Sequence, residues 1–469
     1  MDTLDDDALY LSAVKDLNGL QTNHSILQQI KASGGRINEY SLPEFGAFVE
    51  KLGHQVSDLD TLNVIHVTGT KGKGSTCAFV QSLLSQKQLK IGLFTSPHLI
   101  EVRERIQING SPLSRSAFAK YFYQTFNGLR AASPPLRRVT EASPSMPMYF
   151  RFLTLMAYHV FLAESVDVAI MEVGVGGEYD STNIIERPTV CGIASLGIDH
   201  QAALGSTIEE IAWHKAGIIK RDVPVFTAQQ PEEALQVIRS RAIERHAPPP
   251  TVVSPLPENV ELGIAGDHQR TNAALAVALC REWMSRVIGS PEKETDDTWI
   301  TRGLRQAKWP GRTQTFEAGS VCWHVDGAHT VESMSACAAW FSGIAKSGPC
   351  VLIFNAAHNR GARTLLETLA RGTKECGFVD AVFCPNLSAR PDSANFTVAC
   401  DDGLAPQHDA AGVWAELAPN CKTTVLPTID EAVAYVIAAY ANHQPPTHVL
   451  ATGSLHLVGG VIDAAKGCL

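Results

Sequence analysis

One stretch limits what this chain can fold into more than any other. It is Val64-Ile-His-Val-Thr-Gly-Thr-Lys-Gly-Lys-Gly-Ser-Thr76, followed by CAFVQSLLSQ. A β-branched apolar run breaks into glycines and then into a segment whose apolar residues recur at helical spacing, so the order is strand, glycine loop, helix. Gly69, Gly72 and Gly74 let backbone N–H groups turn inward, the helix brings its positive end to the same place, and Lys73 can reach outer phosphates. The ligand expected there is a nucleoside triphosphate. The loop departs from GxxxxGK[ST], where a hydroxyl directly after the lysine meets Mg²⁺. Gly74 follows Lys73, and hydroxyls come only at Ser75 and Thr76. A metal would then draw a ligand from elsewhere in the chain.

The strands that follow supply candidates. Residues 90–99 form a short apolar run stopped by Pro97. Ligands of an open parallel sheet sit beyond the carboxyl ends of its strands, so Ser96 is expected near the triphosphate. It either supplies the missing hydroxyl or merely caps the strand-end turn. Residues 102–114, with Asn109-Gly110, read as a hairpin or an excursion. Residues 149–161 are too apolar for anything but a buried helix, and His159 within it reads as a satisfied core or boundary histidine. The strand at 166–173 carries Glu172 just before GVGGEYDSTN, and a buried carboxylate is costly unless something positive meets it; Mg²⁺ is the candidate. The strand at 189–196 runs into Asp199 and His200. Four successive strand ends that deliver polar groups to one edge are more specific than any one of them. Residues 206–220 (STIEEIAWHKAGIIK) read as a helix entered through Ser206 and Thr207, and Lys215, taken alone, reads as part of a solvated face.

With 469 residues the chain exceeds one ordinary core, and two or three domains are expected. Residues 8–17 and 42–52 read as amphipathic helices on either side of Ser33-Gly34-Gly35, a lead-in to the nucleotide domain; LNGLQTNHS within it carries no chemistry of its own. Residues 248–257 read as proline-rich linker, residues 267–276 open another helix, and GSPEKETDD is a polar break. Lys308-Trp-Pro-Gly-Arg312 reads as a hinge, which divides the chain into residues 1–312 and 313–469. Beyond it, strands at 321–326, 351–355, 381–384, 423–426 and 448–451 alternate with helical stretches. The fold class expected is α/β: a P-loop parallel-sheet ATPase domain followed by a smaller Rossmann-like α/β domain. Asp326 sits at a strand end, as Glu172 does, and reads as facing a cleft.

A net charge of −9 and a pI near 6.0 give no basic footprint, so nucleic acid is not an expected partner. Eleven cysteines without a CxxC pair argue against a disulfide framework or zinc site and for a reducing compartment. The N-terminus is acidic where a targeting peptide would be basic, and no apolar run is long enough to span a membrane. The cytoplasm is expected, with a mitochondrial form from another start site left open.

Taken together, GTKGKGST, TSPHL followed by ERIQING, MEVGVGGEYDSTN, LGIDH, HKAGIIK, HQRTNAALA, WPGRTQ, DGAH and GSLHLVGG resemble, in order and across nearly the whole chain, the folylpolyglutamate synthases of the Mur ligase superfamily. LQTN and MPMYFRFLTLMAYHVF are similar to the eukaryotic branch. The resemblance implies a tetrahydrofolate:L-glutamate γ-ligase, ADP-forming, that acts through an acyl phosphate on reduced folate, L-glutamate and ATP and serves one-carbon metabolism. It implies that Gly72, Lys73, Gly74 and Ser75 hold the triphosphate, that Asn272 lies near the nucleotide, and that Arg312 and Asp326 contact ATP. By the same resemblance Ser96, Glu172 and His200 bind Mg²⁺, Lys215 becomes a carbamate that adds a metal-binding carboxylate, and K⁺ is a further candidate cation. Asp326 and His329 would be brought over the site by domain closure, and a monomer is expected. DGAHT departs from the family's DGAHN at Thr330. The alternatives are a dihydrofolate synthase or bifunctional enzyme, and a Mur-type ligase for another carboxylate. A P-loop GTPase would need an NKxD motif, which the chain lacks. A nucleotide-binding module without catalysis would have no use for Glu172, His200 and Lys215 together.

Overall fold

The computed structural model describes residues 3–21, 39–141, 143–289, 297–318, 321–356, 361–387, 403–440 and 443–467. The chain forms two compact units. One comprises Met1–His98, Arg103–Gly263 and Asp267–Lys308; the other comprises Leu99–Val102, Ile264–Gly266 and Trp309–Leu469.

The first unit is built on strands β1 (Ile65–Thr68), β2 (Ile91–Phe94), β3 (Ile106–Ile108), β4 (Ser111–Pro112), β5 (Val168–Glu172), β6 (Val190–Ile193), β7 (Val225–Thr227) and β8 (Thr251–Val252). Their spatial order is β4-β3-β2-β5-β1-β6-β7-β8. All pairs from β2 to β8 are parallel, while β3 and β4 run antiparallel as a hairpin. Every residue of β1, β2, β5 and β6 is buried, as continuous apolar runs require when helices cover both faces. The helix Lys73–Leu84 packs against His268–Val287 and Thr298–Gln306.

Local expectations meet the structure in detail. The hairpin turns at Asn109 (φ +51°) and Gly110 (φ +80°), the two positive values a type I′ connection needs. The lead-in helices are Thr3–Asn18 and Ser41–Lys51, and Tyr149–Ala163 is the buried apolar helix. His159 is satisfied at a boundary, paired with His54 Nε2 at 3.0 Å and Gln124 Oε1 at 3.2 Å. Residues 248–257 are more than linker, because Thr251–Val252 adds an exposed edge strand to the sheet. Leu20 O accepts from Tyr149 N at 3.1 Å, so the start of LQTN meets the start of the apolar helix. Thr22, Asn23, Ser33-Gly34-Gly35 and most of GSPEKETDD lie outside the described residues.

The second unit has strands β9 (Gln314–Ala318), β10 (Val321–Asp326), β11 (Cys350–Phe354), β12 (Phe378–Phe383), β13 (Lys422–Val425) and β14 (Thr447–Thr452), ordered β13-β12-β11-β14-β10-β9. Only the β9 pairing is antiparallel among those described. The period-2 side-chain alternation divides its core in two. Trp323, Val325, Val351, Ile353, Val449 and Ala451 face the helices Ile429–Tyr440 and Leu455–Gly467. Leu352, Phe354, Ala381, Phe383 and Leu450 face Val331–Ile344, Ala362–Gly372 and Ala405–Leu417. β9 was not among the expected strands, and its alternating half-exposed pattern is that of an edge. Within FNAAHNRGARTLL, residues 357–360 lie outside the described residues.

Nine cysteines among the described residues are free, seven of them buried. Among the described residues no helix is long and apolar enough to cross a membrane.

Candidate active site

β1 ends at Thr68 and the glycine loop begins. Thr70 N and Lys71 N donate to Ser195 O at 2.9 and 3.1 Å, which fixes the loop to the end of β6. The helix Lys73–Leu84 starts behind Gly72, and no side chain caps it, so its first amides are left for an anion. Gly72 is at φ +85°, and a Cβ there would stand 2.1 Å from Asn272 Oδ1. Asn272 can therefore press on the loop only because that residue is glycine. Asn272 is buried and donates to Gln269 Oε1 at 2.9 Å, while Gln269 Nε2 reaches Ser75 Oγ at 3.3 Å.

Two lysines converge on one carbonyl. Lys73 Nζ donates to Gly69 O at 3.0 Å, and Lys215 Nζ donates to the same oxygen at 2.8 Å. This corrects the reading of Lys215 as a solvated-face residue: it is 2 % exposed. Burial first, and the neighbouring Lys73 second, bring its pKa down from 10.5 to about 7, against the pull of Asp199 and Asp180. The amine is thus poised between its charged and neutral forms near neutral pH.

Local packing sets that position. Thr207 caps the helix Ile208–Lys215 in a reciprocal box with Glu210. At the other end, Glu178 N donates to His214 O at 2.7 Å, and a Cβ on Gly217 would stand 2.3 Å from Glu178 Cα. HKAGI and GGEYD therefore lie backbone on backbone. Thr68 Oγ1 donates to Gly176 O at 2.7 Å, so the same loop is tied to the strand that launches the phosphate loop. Asp180 holds the loop from within, accepting from Thr182 N (3.0 Å), Thr182 Oγ1 (2.6 Å) and Val175 N (3.2 Å). His66 Nε2 pairs with Thr182 Oγ1 at 2.9 Å, and burial, then Lys220, lowers its pKa to about 3, so it stays neutral.

Glu172 ends β5 and is 3 % exposed. Its Oε2 accepts from the Thr95 hydroxyl and, at 3.1 Å, from Ser96 N. The Ser96 hydroxyl makes no hydrogen bond among the described residues. His200 is exposed at φ +52°, at the start of the short helix Gln201–Leu204, and its N–H donates to Asp199 Oδ1 at 2.8 Å. Asp199 faces Lys71 at 3.7 Å. Among the described residues no three His, Cys, Asp or Glu side chains gather as a metal group. One buried carboxylate beside a hydroxyl nevertheless suits Mg²⁺, which keeps several waters and completes its shell with substrate phosphates.

On the second unit, Asp326 ends β10, 7 % exposed, and its Oδ2 accepts from Thr313 N at 2.8 Å. Arg312 Nη1 reaches Gly327 O at 3.4 Å, and His329 Nδ1 pairs with the same oxygen at 2.9 Å. Thr330 accepts from Ser333 N at 3.3 Å and caps the helix Val331–Ile344. Its hydroxyl does the capping that an asparagine could also do.

The structure adds Thr95, Gln269 and Asp180 to the residues that bear on the site. Thr95 was legible as the neighbour of Ser96 at one strand end, and Gln269 as the residue one helical turn before Asn272. Asp180 had no signal apart from its fold partners.

A central phosphate loop in a parallel sheet, with a buried carboxylate at the next strand end and a second parallel-sheet unit downstream, is the architecture of the Mur-type ATP-dependent ligases. No family model matches the chain. It is 40 % identical to human mitochondrial folylpolyglutamate synthase, covering 98 % of this chain and 92 % of that protein. It is 42 % identical to folylpolyglutamate synthase of Saccharomyces cerevisiae, covering 97 % and 86 %. The solved folylpolyglutamate synthase of Mycobacterium tuberculosis, complexed with ADP and AMPPCP, superposes with a TM-score of 0.73 at 24 % identity, over 90 % of this chain and 95 % of that one, and shows the shared fold. The chain belongs to the folylpolyglutamate synthase family.

Proposed function

We infer that this protein joins L-glutamate to a tetrahydrofolate through the γ-carboxyl group of the folate's terminal glutamate, consuming ATP and releasing ADP and phosphate. The observation that carries the reading is the pair of lysines on Gly69 O beside buried Glu172, in a chain of this family. A carboxylate acylates poorly because oxide is a hopeless leaving group. Transfer of the γ-phosphoryl group gives an acyl phosphate; the amine of glutamate attacks its carbonyl carbon, and phosphate leaves as the amide forms. Lys73 and the loop amides neutralise the phosphoryl oxygens as charge shifts, which is where most catalysis of such transfers lies.

Bound Mg²⁺ supplies further charge neutralisation across the phosphate oxygens. Glu172, Ser96 and His200 are proposed to hold it, with Lys215 as a carbamate. The neutral amine of Lys215 would take up CO₂ with formation of an N–C bond and release of one proton, leaving a carboxylate anion next to Lys73. The pKa near 7 makes that amine available at physiological pH. Asn272, Arg312 and Asp326 are proposed nucleotide contacts, and His329 a contact to the reacting groups. Residues 1–312 would bind and activate, and residues 313–469 would help hold the incoming glutamate. A monomer in the cytoplasm is proposed, although relatives named mitochondrial exist.

The test is to incubate the protein with ATP, L-glutamate and a panel of dihydropteroate and tetrahydrofolates, and to read products by mass. Successive glutamyl additions to tetrahydrofolate monoglutamate are expected. Product from dihydropteroate alone would make it a dihydrofolate synthase, and ATP turnover that needs no pterin would mean another carboxylate is the substrate.

A further inference from the structure

Arg105 has no part in the roles assigned above. It closes the 3-10 turn Val102–Arg105 and leads into β3. Its carbonyl accepts from Thr95 N at 3.0 Å, and Thr95 is the residue whose hydroxyl holds Glu172. The guanidinium is fixed on two sides: Nε donates to His98 Nδ1 at 2.9 Å, and its carbon lies 5.4 Å from the centre of the Tyr149 ring. The two terminal amino groups make no hydrogen bond or ion pair among the described residues. Glu172 and Glu104 act on it electrostatically, but neither pairs with it. The guanidinium is thus half-buried and immobilised through Nε, while its fork is left open to take a planar anion.

The sheet places Arg105 relative to the phosphate loop. β3 runs antiparallel to β2, so it begins at the edge where β2, β5 and β1 end. Along that edge the order is Arg105, Ser96, Glu172, phosphate loop. At about 4.8 Å per strand, Arg105 starts about 10 Å from the strand of Glu172 and about 14 Å from the strand of the loop. The loop, with Lys73 and the helix amides, already serves the triphosphate. An anion beyond Glu172 on the far side from the loop lies where the phosphoryl acceptor must sit. Tyr149, which stacks on the guanidinium, is also the residue whose N–H bonds Leu20 O, so Leu20 and the start of the apolar helix border the same place.

We propose that Arg105 binds the acyl donor: its fork takes a carboxylate of the folate's terminal glutamate, and His98 and Tyr149 hold the guanidinium in position for it. This rests on the ligase reading above. A planar fork matches a carboxylate in two parallel N–H···O bonds, which a lysine cannot reproduce.

The test compares initial rates of the wild type, Arg105→Gln and Arg105→Lys by mass of the lengthened product, varying tetrahydrofolate monoglutamate, ATP and Mg²⁺ in turn. Arg105→Gln is expected to raise the donor KM roughly ten- to hundredfold, the range for a lost charged hydrogen bond. Arg105→Lys keeps the charge and the stem on Tyr149 and should recover only part of it. The KM for ATP, the Mg²⁺ dependence and the rise in Tm on adding nucleotide should match the wild type. An unchanged donor KM in both variants overturns the proposal. So does a rise confined to ATP, which would mark a triphosphate contact, or to Mg²⁺, which would mark a counter-ion to Glu172. A Tm drop in both variants with all constants shifting together would show a structural role and overturn it too. A wild type that lengthens no folate refutes the functional reading itself, whereas a ligating wild type beside variants with unchanged donor KM refutes this inference alone.

Discussion

Replacing Lys215 by Met should change the protein's stability in a pH-dependent way that follows from burial. The folded chain holds this amine at about 7, against 10.5 for an ordinary lysine. Each pH unit of difference is worth 1.36 kcal/mol, so keeping the residue charged in the folded state costs about 5 kcal/mol at low pH. Because the folded value lies below the unfolded one, the unfolded chain binds more protons between pH 7 and 10.5. Wild-type stability therefore carries the full penalty below about pH 7 and recovers as pH rises through that window. Lys215→Met has no titrating group there; it keeps a similar stem and loses only the bond to Gly69 O, about 1 kcal/mol. The assay is thermal unfolding of both proteins from pH 6 to 9 in CO₂-depleted buffer, read on the transition that nucleotide shifts. Between pH 7 and 9 the wild type should gain about 2 kcal/mol on the variant, several degrees in Tm. Below pH 7 the variant should be the more stable of the two while its ligation is lost. A stability difference that does not change with pH would refute the claim that the amine is held near neutrality.

The other predictions are local. Lys73→Ala should reduce ligation about 100-fold or more with little change in Tm, since the side chain is half-exposed and its work is on phosphate; near-normal turnover would remove the phosphate-loop assignment. Thr95→Val, Glu172→Gln and His200→Ala should each raise the Mg²⁺ concentration needed for half-maximal rate, Glu172→Gln most; unchanged metal dependence with a sharp fall in Tm would make these residues structural instead. Thr330→Ala should cost about 1 kcal/mol through the lost helix cap and Thr330→Asn should restore it, measured by denaturant midpoints; no difference between the two would show that the cap is not what this position contributes.

Most of the sheet edge was legible because its signals are local. A glycine loop between a β-branched run and a helical run, and polar residues at the ends of apolar runs, need no partner to be read. Lys215 was different. Its helix looks amphipathic, and nothing in IEEIAWHKAGI says that the lysine points inward, because that follows from the backbone contact of Gly217 with Glu178. Lys215 entered the site only through resemblance to a family. Arg105 was invisible for the opposite reason: VRERIQI offers three charged residues in a row, and only the fold distinguishes Arg105, whose Nε is pinned by His98, from Arg103, which donates to Leu113 O at 3.0 Å. β9 escaped because an edge strand is half-polar and short, and Thr251–Val252 because a proline-rich segment rarely pairs.

The low pKa of Lys215 also depends on where the nearby acids are directed. Glu178 lies on the loop that packs against the Lys215 helix, yet its carboxylate is held by Arg241 and, at 2.5 Å, by Arg245. Arg241 is itself buried, stacks on Trp213 at 4.5 Å and also pairs with Glu244 at 2.7 Å, so the Glu178 carboxylate is directed at two arginines and away from position 215. Asp180 is directed at Thr182 and Val175, whose hydrogen bonds take up its carboxylate oxygens. Asp199 faces Lys71. The acids around position 215 are thus engaged elsewhere, and desolvation sets the outcome. Glu178 can be changed only at the expense of the Arg241 cluster, whereas removing the nearby positive charge in Lys71→Ala should raise the pKa of Lys215 and flatten the pH dependence described above without touching the amine itself.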